Sequence, residues 1–217
     1  MEAVYAVILA AGEGTRMKSD RAKVIHGLCG KPMVNWVIDA VKNSEIENII
    51  VVTGHQEEQV RACITEKVDF VSQKEQLGTG HAVMQAAPLL KGKKGTCLIL
   101  YGDVPLITPK TIKQLIHEHT ENNNRVTVLT TIVENPEGYG RILRDPSGNV
   151  AGIVEHRDAN PEQLKINEIN TGIYCFDIES LLESLGKLSN ENDQHEYYLT
   201  DTLSIIMKTA VKSVRLY

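Results

Sequence analysis

The sequence reads as an α/β protein, a mostly parallel sheet flanked by helices, and three features carry that reading. Tyr5 to Leu9, Ile49 to Val52 and Cys97 to Tyr101 are short runs of apolar residues without polar alternation, as strands covered on both faces require. Stretches of helical periodicity separate them. Glycine-bearing loops then follow the runs at the strand ends, where open α/β sheets take ligands.

Each element can be justified in order. Tyr5 to Leu9 is the first strand, and Pro32 at a first helical position opens an amphipathic helix through Trp36, Val37, Ile38 and Val41. Ile49 to Val52 is the second strand, a helix near Glu57 to Thr65 follows, and Val68 to Val71 is the third. Gln73 to Gly80 forms a second glycine-bearing loop before a helix from His81 to Leu89. Cys97 to Tyr101 has the continuous apolar character of a central strand, with Gly102-Asp103 at its carboxyl end, and Thr108-Pro109 opens a helix to about Glu121.

These alternating units favour parallel strands joined by right-handed crossovers. The rhythm then changes. Val126 to Ile132, Gly138 to Ile142, Ile153 to Glu155 and Ile169 to Phe176 read as shorter strands and hairpins, with late helices at Ile178 to Leu185 and Leu199 to Met207. A small β-rich lid over the ligand site is expected there. The polar stretches 122–124 and 189–194 are short loops, and residues 1–217 read as one domain.

With 217 residues, 42% hydrophobic and 24% charged, the composition is that of a globular protein with a sizeable core. A net charge of −5 argues against general nucleic-acid or membrane-surface binding, so an anionic ligand needs a local cluster of cations. The scattered Cys29, Cys63, Cys97 and Cys175 form no C-x-x-C pair, which suits reduced thiols and argues against zinc. Met1-Glu2 opens no basic, apolar leader and no run approaches a membrane span, so a cytoplasmic location is expected.

The candidate site centres on Val7-Ile8-Leu9-Ala10-Ala11-Gly12-Glu13-Gly14-Thr15-Arg16-Met17, followed by Lys23. Glycines at 12 and 14 allow positive φ and close backbone approach, so that N–H groups converge on an anion to which Arg16 and Lys23 add charge. The dinucleotide fingerprint G-x-G-x-x-G fails at Met17, and G-x-x-x-x-G-K-[ST] fails because Thr15 and Arg16 follow Gly14. A plain glycine turn with two solvated cations fits the same letters.

Asp103, just past a buried strand, is placed to hold Mg²⁺ against a nucleotide phosphate; a turn aspartate is the other reading. Gln73 and the Gly78 backbone can read a base edge. Glu155, Asn170, Tyr198 and Thr200 can bind hydroxyls, although each residue type is common in loops. His117 and His119 point in different directions on one helix and are expected to be solvated. His26, His81 and His156 have no nucleophilic partner in the pattern.

Leu9 to Met17, Gln76-Leu77-Gly78-Thr79-Gly80-His81-Ala82, Tyr101-Gly102-Asp103-Val104-Pro105-Leu106, Gly138 to Arg141, Ile153 to His156, Glu168 to Gly172 and Glu196-Tyr197-Tyr198 together resemble the N-terminal domain of the bacterial N-acetylglucosamine-1-phosphate uridylyltransferases. The resemblance implies a Rossmann-like sheet with a sugar-binding lid, and a Mg²⁺-dependent reaction of UTP with N-acetylglucosamine 1-phosphate that yields UDP-N-acetylglucosamine and pyrophosphate. It implies that Leu9, Ala10, Ala11, Gly12, Gln73 and Gly78 hold the uridine, that Arg16 and Lys23 meet the phosphates, and that Asp103 holds the metal. Thr79, Tyr101, Gly102, Gly140, Glu155, Asn170, Tyr198 and Thr200 would line the remaining substrate surface.

Two departures stand out. The family has proline where this chain has Ala22, which should loosen the phosphate loop slightly. The family's second metal ligand, an asparagine beyond the position matching Tyr217, and its C-terminal left-handed β-helix, which transfers acetyl groups and builds the trimer, are not in the sequence. A truncated enzyme, monomeric or weakly associated, is therefore expected. A different base or sugar, or UDP-sugar binding without turnover, are the alternatives.

Overall fold

The computed structural model describes residues 2–14 and 17–207. At its centre is β1 (Val4–Ala10), whose residues from Ala6 onward are buried. Alternate side chains enter opposite cores: Val7 and Leu9 pack on one face, Ala6, Ile8 and Ala10 on the other. A strand with both faces covered tolerates no polar alternation, which is why the run is continuously apolar.

β4 (Asn48–Thr53) and β6 (Thr96–Tyr101) flank β1 in parallel, with Leu9 opposite both Val52 and Tyr101. Before β4 come the two-residue strands β2 (Gly27–Leu28) and β3 (Lys31–Pro32), which pair with each other, and α1 (Met33–Lys42). β5 (Asp69–Ser72) extends the sheet beyond β4, after α2 (Glu57–Cys63). α1 and α4 (Pro109–Glu121) bury Val34, Val37, Ile38, Ile112 and Leu115 against one face. α3 (Thr79–Leu90) covers the other, with Ala82, Val83, Ala86 and Leu90.

The second half of the chain adds to the same sheet. β7 (Val126–Ile132), β8 (Arg141–Arg144), β9 (Val150–Val154) and β10 (Glu168–Asp177) give a mixed eight-stranded sheet in the order β5-β4-β1-β6-β10-β8-β9, with β7 also on β10. β10 runs antiparallel to β6, so its N-terminal half returns to the rim where β1 and β6 end. α5 (Ile178–Leu185) and α6 (Asp201–Met207) pack on the α3 face.

Element bounds differ from expectation in places with clear causes. α3 begins at Thr79 rather than His81, directly after Gly78. The segment 138–140 is a turn that delivers the chain into β8, not part of a strand. Pro32 sits one residue before the helix, as its N-cap. The sharpest correction concerns His119, which is buried rather than solvated, its Nδ1 3.0 Å from the Thr127 hydroxyl. Burial drives its pKa down to about 4, so it is neutral at physiological pH. His117 is exposed as expected.

Between Asn170 and Tyr174 the pairing of β10 with β7 slips, and Gly172 there adopts φ +80°. A Cβ at Gly172 would lie 2.4 Å from Cε2 of Tyr101, so the ring occupies space that only glycine leaves. Gly172→Ala should therefore cost about 2–4 kcal/mol, combining left-handed backbone strain with overpacking. Urea denaturation checks this, and unchanged stability would show that the Tyr101 ring moves aside freely.

Candidate active site

The parallel strands end at one rim, and the loops that leave it are pinned by backbone hydrogen bonds. Gly102 N–H donates to Leu9 C=O (2.8 Å), His55 N–H to Ala11 C=O (3.1 Å) and Gln73 N–H to Thr53 C=O (2.7 Å). These bonds hold the β1, β4 and β6 exits together around a cavity of about 240 Å³. Leu9, Ala10, Ala11, Gly12, Lys23, Gln73, Gly78, Thr79, Tyr101 and Asp103 line it, so ten residues nominated from the sequence converge there. Gly14, already part of the glycine loop read from the sequence, lines it as well, together with Val24, Gln76, Ala82 and Glu196, which had been given no role. Gly14, Gln76, Ala82 and Glu196 fall inside quoted motifs, and the return of the chain after α5 brings Glu196 to the cavity.

The two loop glycines do different work. Gly14 has φ +63°, and a Cβ there would sit 2.6 Å from Cβ of Lys23, so its bareness lets the lysine pack against the loop. Gly12 does not take positive φ, contrary to the sequence reading, and open space surrounds the position a Cβ would occupy.

Lys23 starts a short 3-10 turn behind Ala22, and its Nζ lies 2.5 Å from Oδ2 of Asp103. Both side chains remain partly exposed toward the cavity, so each charge compensates the other while staying reachable. Ala22 is at φ −55°, within the range a proline imposes, so this loop already holds the conformation that the family's proline would fix. Arg16 lies outside the described residues.

Across the cavity, Gln73 is buried and its amide nitrogen donates to Gly78 C=O (3.1 Å) and contacts His81 Nδ1 (3.1 Å). Its Oε1 has no hydrogen-bond partner among the described residues and remains available as an acceptor. Gly102 does not line the cavity; its N–H is spent on Leu9.

Gly140, Glu155, Asn170, Tyr198 and Thr200 gather beside the cavity. Thr200 donates to Glu155 Oε1 at 3.1 Å, and Asn170 N–H to Gly140 C=O at 2.9 Å. Gln194 donates to the Tyr198 hydroxyl at 2.7 Å. Thr79 joins this group to the first: it hydrogen-bonds Tyr101 and accepts from the Leu199 N–H at 3.1 Å. Burial, followed by the Glu155 and Asp103 charges, keeps Tyr101 protonated. Burial also raises the Glu155 carboxyl, with the charges of Asp158, Asp201 and Glu196 adding to it and the Thr200 hydrogen bond opposing it.

A larger hollow, about 780 Å³, lies at the opposite end of β1 and β6. Glu2, Glu121, Asp177, Glu179 and Glu183 line it against Arg125, so its field repels a phosphate. The smaller cavity has Lys23 facing it, beside the carboxylates of Asp103 and Glu196.

The mixed sheet with a glycine loop, a cation and a carboxylate at its parallel rim defines an α/β protein suited to a phosphorylated ligand. The chain belongs to the nucleotidyl transferase family, whose pattern matches residues 5–216. It is 52% identical to "Bifunctional protein GlmU" of Acetivibrio thermocellus, over 98% of this chain and 46% of that protein. It is 54% identical to the protein of the same name from a Geobacillus strain, over 93% of this chain and 44% of that one. The chain thus spans about half the length of these curated relatives. Among solved structures, a putative glucose-1-phosphate thymidylyltransferase from Bacillus anthracis, in complex with sucrose, shares the fold with a TM-score of 0.82 at 20% identity, covering 99% of this chain and 87% of that one. Among the described residues, no helix is long and apolar enough to cross a membrane.

The raised Glu155 pKa has a stability consequence with a definite sign. The folded state holds this proton more tightly than the unfolded chain, so stability falls as pH rises through the carboxylate range and stays lower above the folded-state pKa. Glu155→Gln keeps an acceptor for Thr200 and should melt above the parent at pH 8, with the gap closing as the pH falls through the carboxylate range. Scanning calorimetry reads the difference, and a variant less stable than the parent at pH 8 would contradict it.

Proposed function

We propose that this chain forms UDP-N-acetylglucosamine and pyrophosphate from UTP and N-acetylglucosamine 1-phosphate. The observation that carries the reading is the Lys23–Asp103 pair, 2.5 Å apart, facing a cavity bounded by the Leu9–Gly12 backbone on one side and Gln73 and Gly78 on the other. The roughly half-sequence identity to GlmU proteins over nearly the whole chain supports it.

The sugar monophosphate attacks the α-phosphorus of UTP in line. A new oxygen–phosphorus bond forms, the bond to the bridging oxygen of the β-phosphate breaks, and pyrophosphate leaves with that electron pair. No general base is needed, because a phosphate monoester with a second pKa of about 6 is already largely dianionic at neutral pH. The remaining task is to hold two anions together in alignment.

Lys23 supplies the charge for that task. In the free protein its ammonium rests on Asp103, and a nucleotide phosphate competes for it. Gln73 turns its unpartnered Oε1 toward the base, an acceptor suited to the imide N–H of uracil. Glu155, Asn170 and Thr200 meet the sugar side, where the raised Glu155 carboxyl accepts from hydroxyls.

Among the described residues there is no group of three or more metal-ligating side chains, so an all-protein cage is absent. The hard oxygen donors of a rim carboxylate fit Mg²⁺, which takes one or two carboxylates together with substrate phosphates and water. Asp103 would hold the ion, and the ion would supply charge neutralisation at the reacting phosphates. We place the reaction in the cytoplasm, with no nucleic-acid or membrane partner.

Asp103→Asn and Lys23→Ala should each lower turnover by about a hundredfold or more, the usual scale for removing one preorganised electrostatic group. Pyrophosphate release from UTP and the sugar phosphate measures this; an Asp103→Asn protein working at the parent rate would end the assignment. A panel of nucleoside triphosphates and sugar phosphates in the same assay tests base and sugar choice.

A further inference from the structure

We propose that Arg141 is a positioning residue that holds Gly140 and Glu155 in register at the sugar-facing edge, an inference that rests on the function proposed above. Arg141 opens β8 and is 2% exposed. A guanidinium carries five donors and cannot shed its charge, so complete burial normally comes with a carboxylate partner. Among the described residues Arg141 has none. The neighbouring carboxylate, Glu168, is occupied by Arg144, which binds it bidentately at 2.5 and 2.8 Å.

Arg141 spends its donors on two neutral acceptors instead. One Nη donates to the Tyr139 carbonyl, the other lies 3.5 Å from Nδ1 of His156, and Nε is buried without a partner. Those acceptors immediately precede Gly140 and follow Glu155. The Gly138 N–H also donates to His156 Nδ1 at 3.3 Å, so this nitrogen is an acceptor and the ring proton sits on Nε2. Arg141 pairs with Val154 across the β8–β9 ladder, which sets the two strand ends level.

The braced groups are adjacent. A Cβ on Gly140 would lie 3.3 and 3.4 Å from the two carboxylate oxygens of Glu155, and Asn170 N–H donates to the Gly140 carbonyl. A planar fork reaching both Tyr139 and His156 fixes the turn and the carboxylate together. A lysine, with a single nitrogen on a flexible stem, cannot span both acceptors.

The test varies each substrate separately in the pyrophosphate-release assay. Arg141→Lys is expected to raise KM for the sugar phosphate at least tenfold while leaving KM for UTP within twofold. His156→Phe, which removes the acceptor, should reproduce that split, and His156→Asn, which restores an acceptor, should recover most of the parent KM. Calorimetry provides a readout independent of turnover: the parent should bind UDP-N-acetylglucosamine more tightly than UDP, and Arg141→Lys should lose that difference. Folded Arg141→Lys and His156→Phe proteins with parent values for the sugar would overturn the inference, as would equal losses for both substrates or failure of His156→Asn to rescue. A parent that neither turns over nor distinguishes UDP-sugar from UDP would overturn the functional reading, and this inference with it.

Discussion

The ladder that sets β1 between β4 and β6 in parallel governs everything at the carboxyl rim. Because Leu9 lies level with Val52 and with Tyr101, the three strands stop together and their loops meet over one cavity. Hydrogen bonds from Gly102 to Leu9, His55 to Ala11 and Gln73 to Thr53 convert that level ending into a fixed rim. Lys23 then reaches Asp103 from a different loop. Burial makes the arrangement rigid. With Val7, Ile8 and Leu98 through Leu100 excluded from water on both faces, any slip of register would move side chains between the two cores.

Charge is distributed to suit this geometry. The chain is acidic overall, and carboxylates gather both around the far hollow and beside the rim, where Asp103, Glu155 and Glu196 lie. At the rim, Lys23 and Asp103 neutralise each other in the free protein, a pairing partly open to solvent and so of small intrinsic worth. An exchangeable pair of this kind suits a site that must take up and release a polyanion. Glu155 shows the opposite economy: burial and three neighbouring acids disfavour its charge, which a purely structural site would avoid.

Much of this was legible in the sequence because burial on both faces leaves a simple signature. Three of the four parallel strands and the helices between them follow from continuous apolar runs broken by glycine, and ten of the nominated residues meet in one cavity for the same reason. What was hidden depended on the third dimension. β10 reads as one more strand, and nothing local says that it runs antiparallel to β6 and carries Asn170 back to the rim. Gly12 and Gly14 look equivalent as letters, yet only Gly14 takes positive φ. His119 falls on a largely polar helix and looks solvated until β7 brings Thr127 against it. Arg141 resembles any surface arginine, since only the fold removes it from water without giving it a carboxylate.

The family assignment defines the type of chemistry, and the cavity at the rim is where the proposed reaction is placed. A crystal structure with UDP-N-acetylglucosamine bound tests that placement most directly. The account predicts the diphosphate beside Lys23 and Asp103, the base against Gln73, and the sugar toward Glu155 and Asn170. Density for the ligand in the acidic hollow at the other end of the sheet, with the Lys23–Asp103 pair undisturbed, would contradict it.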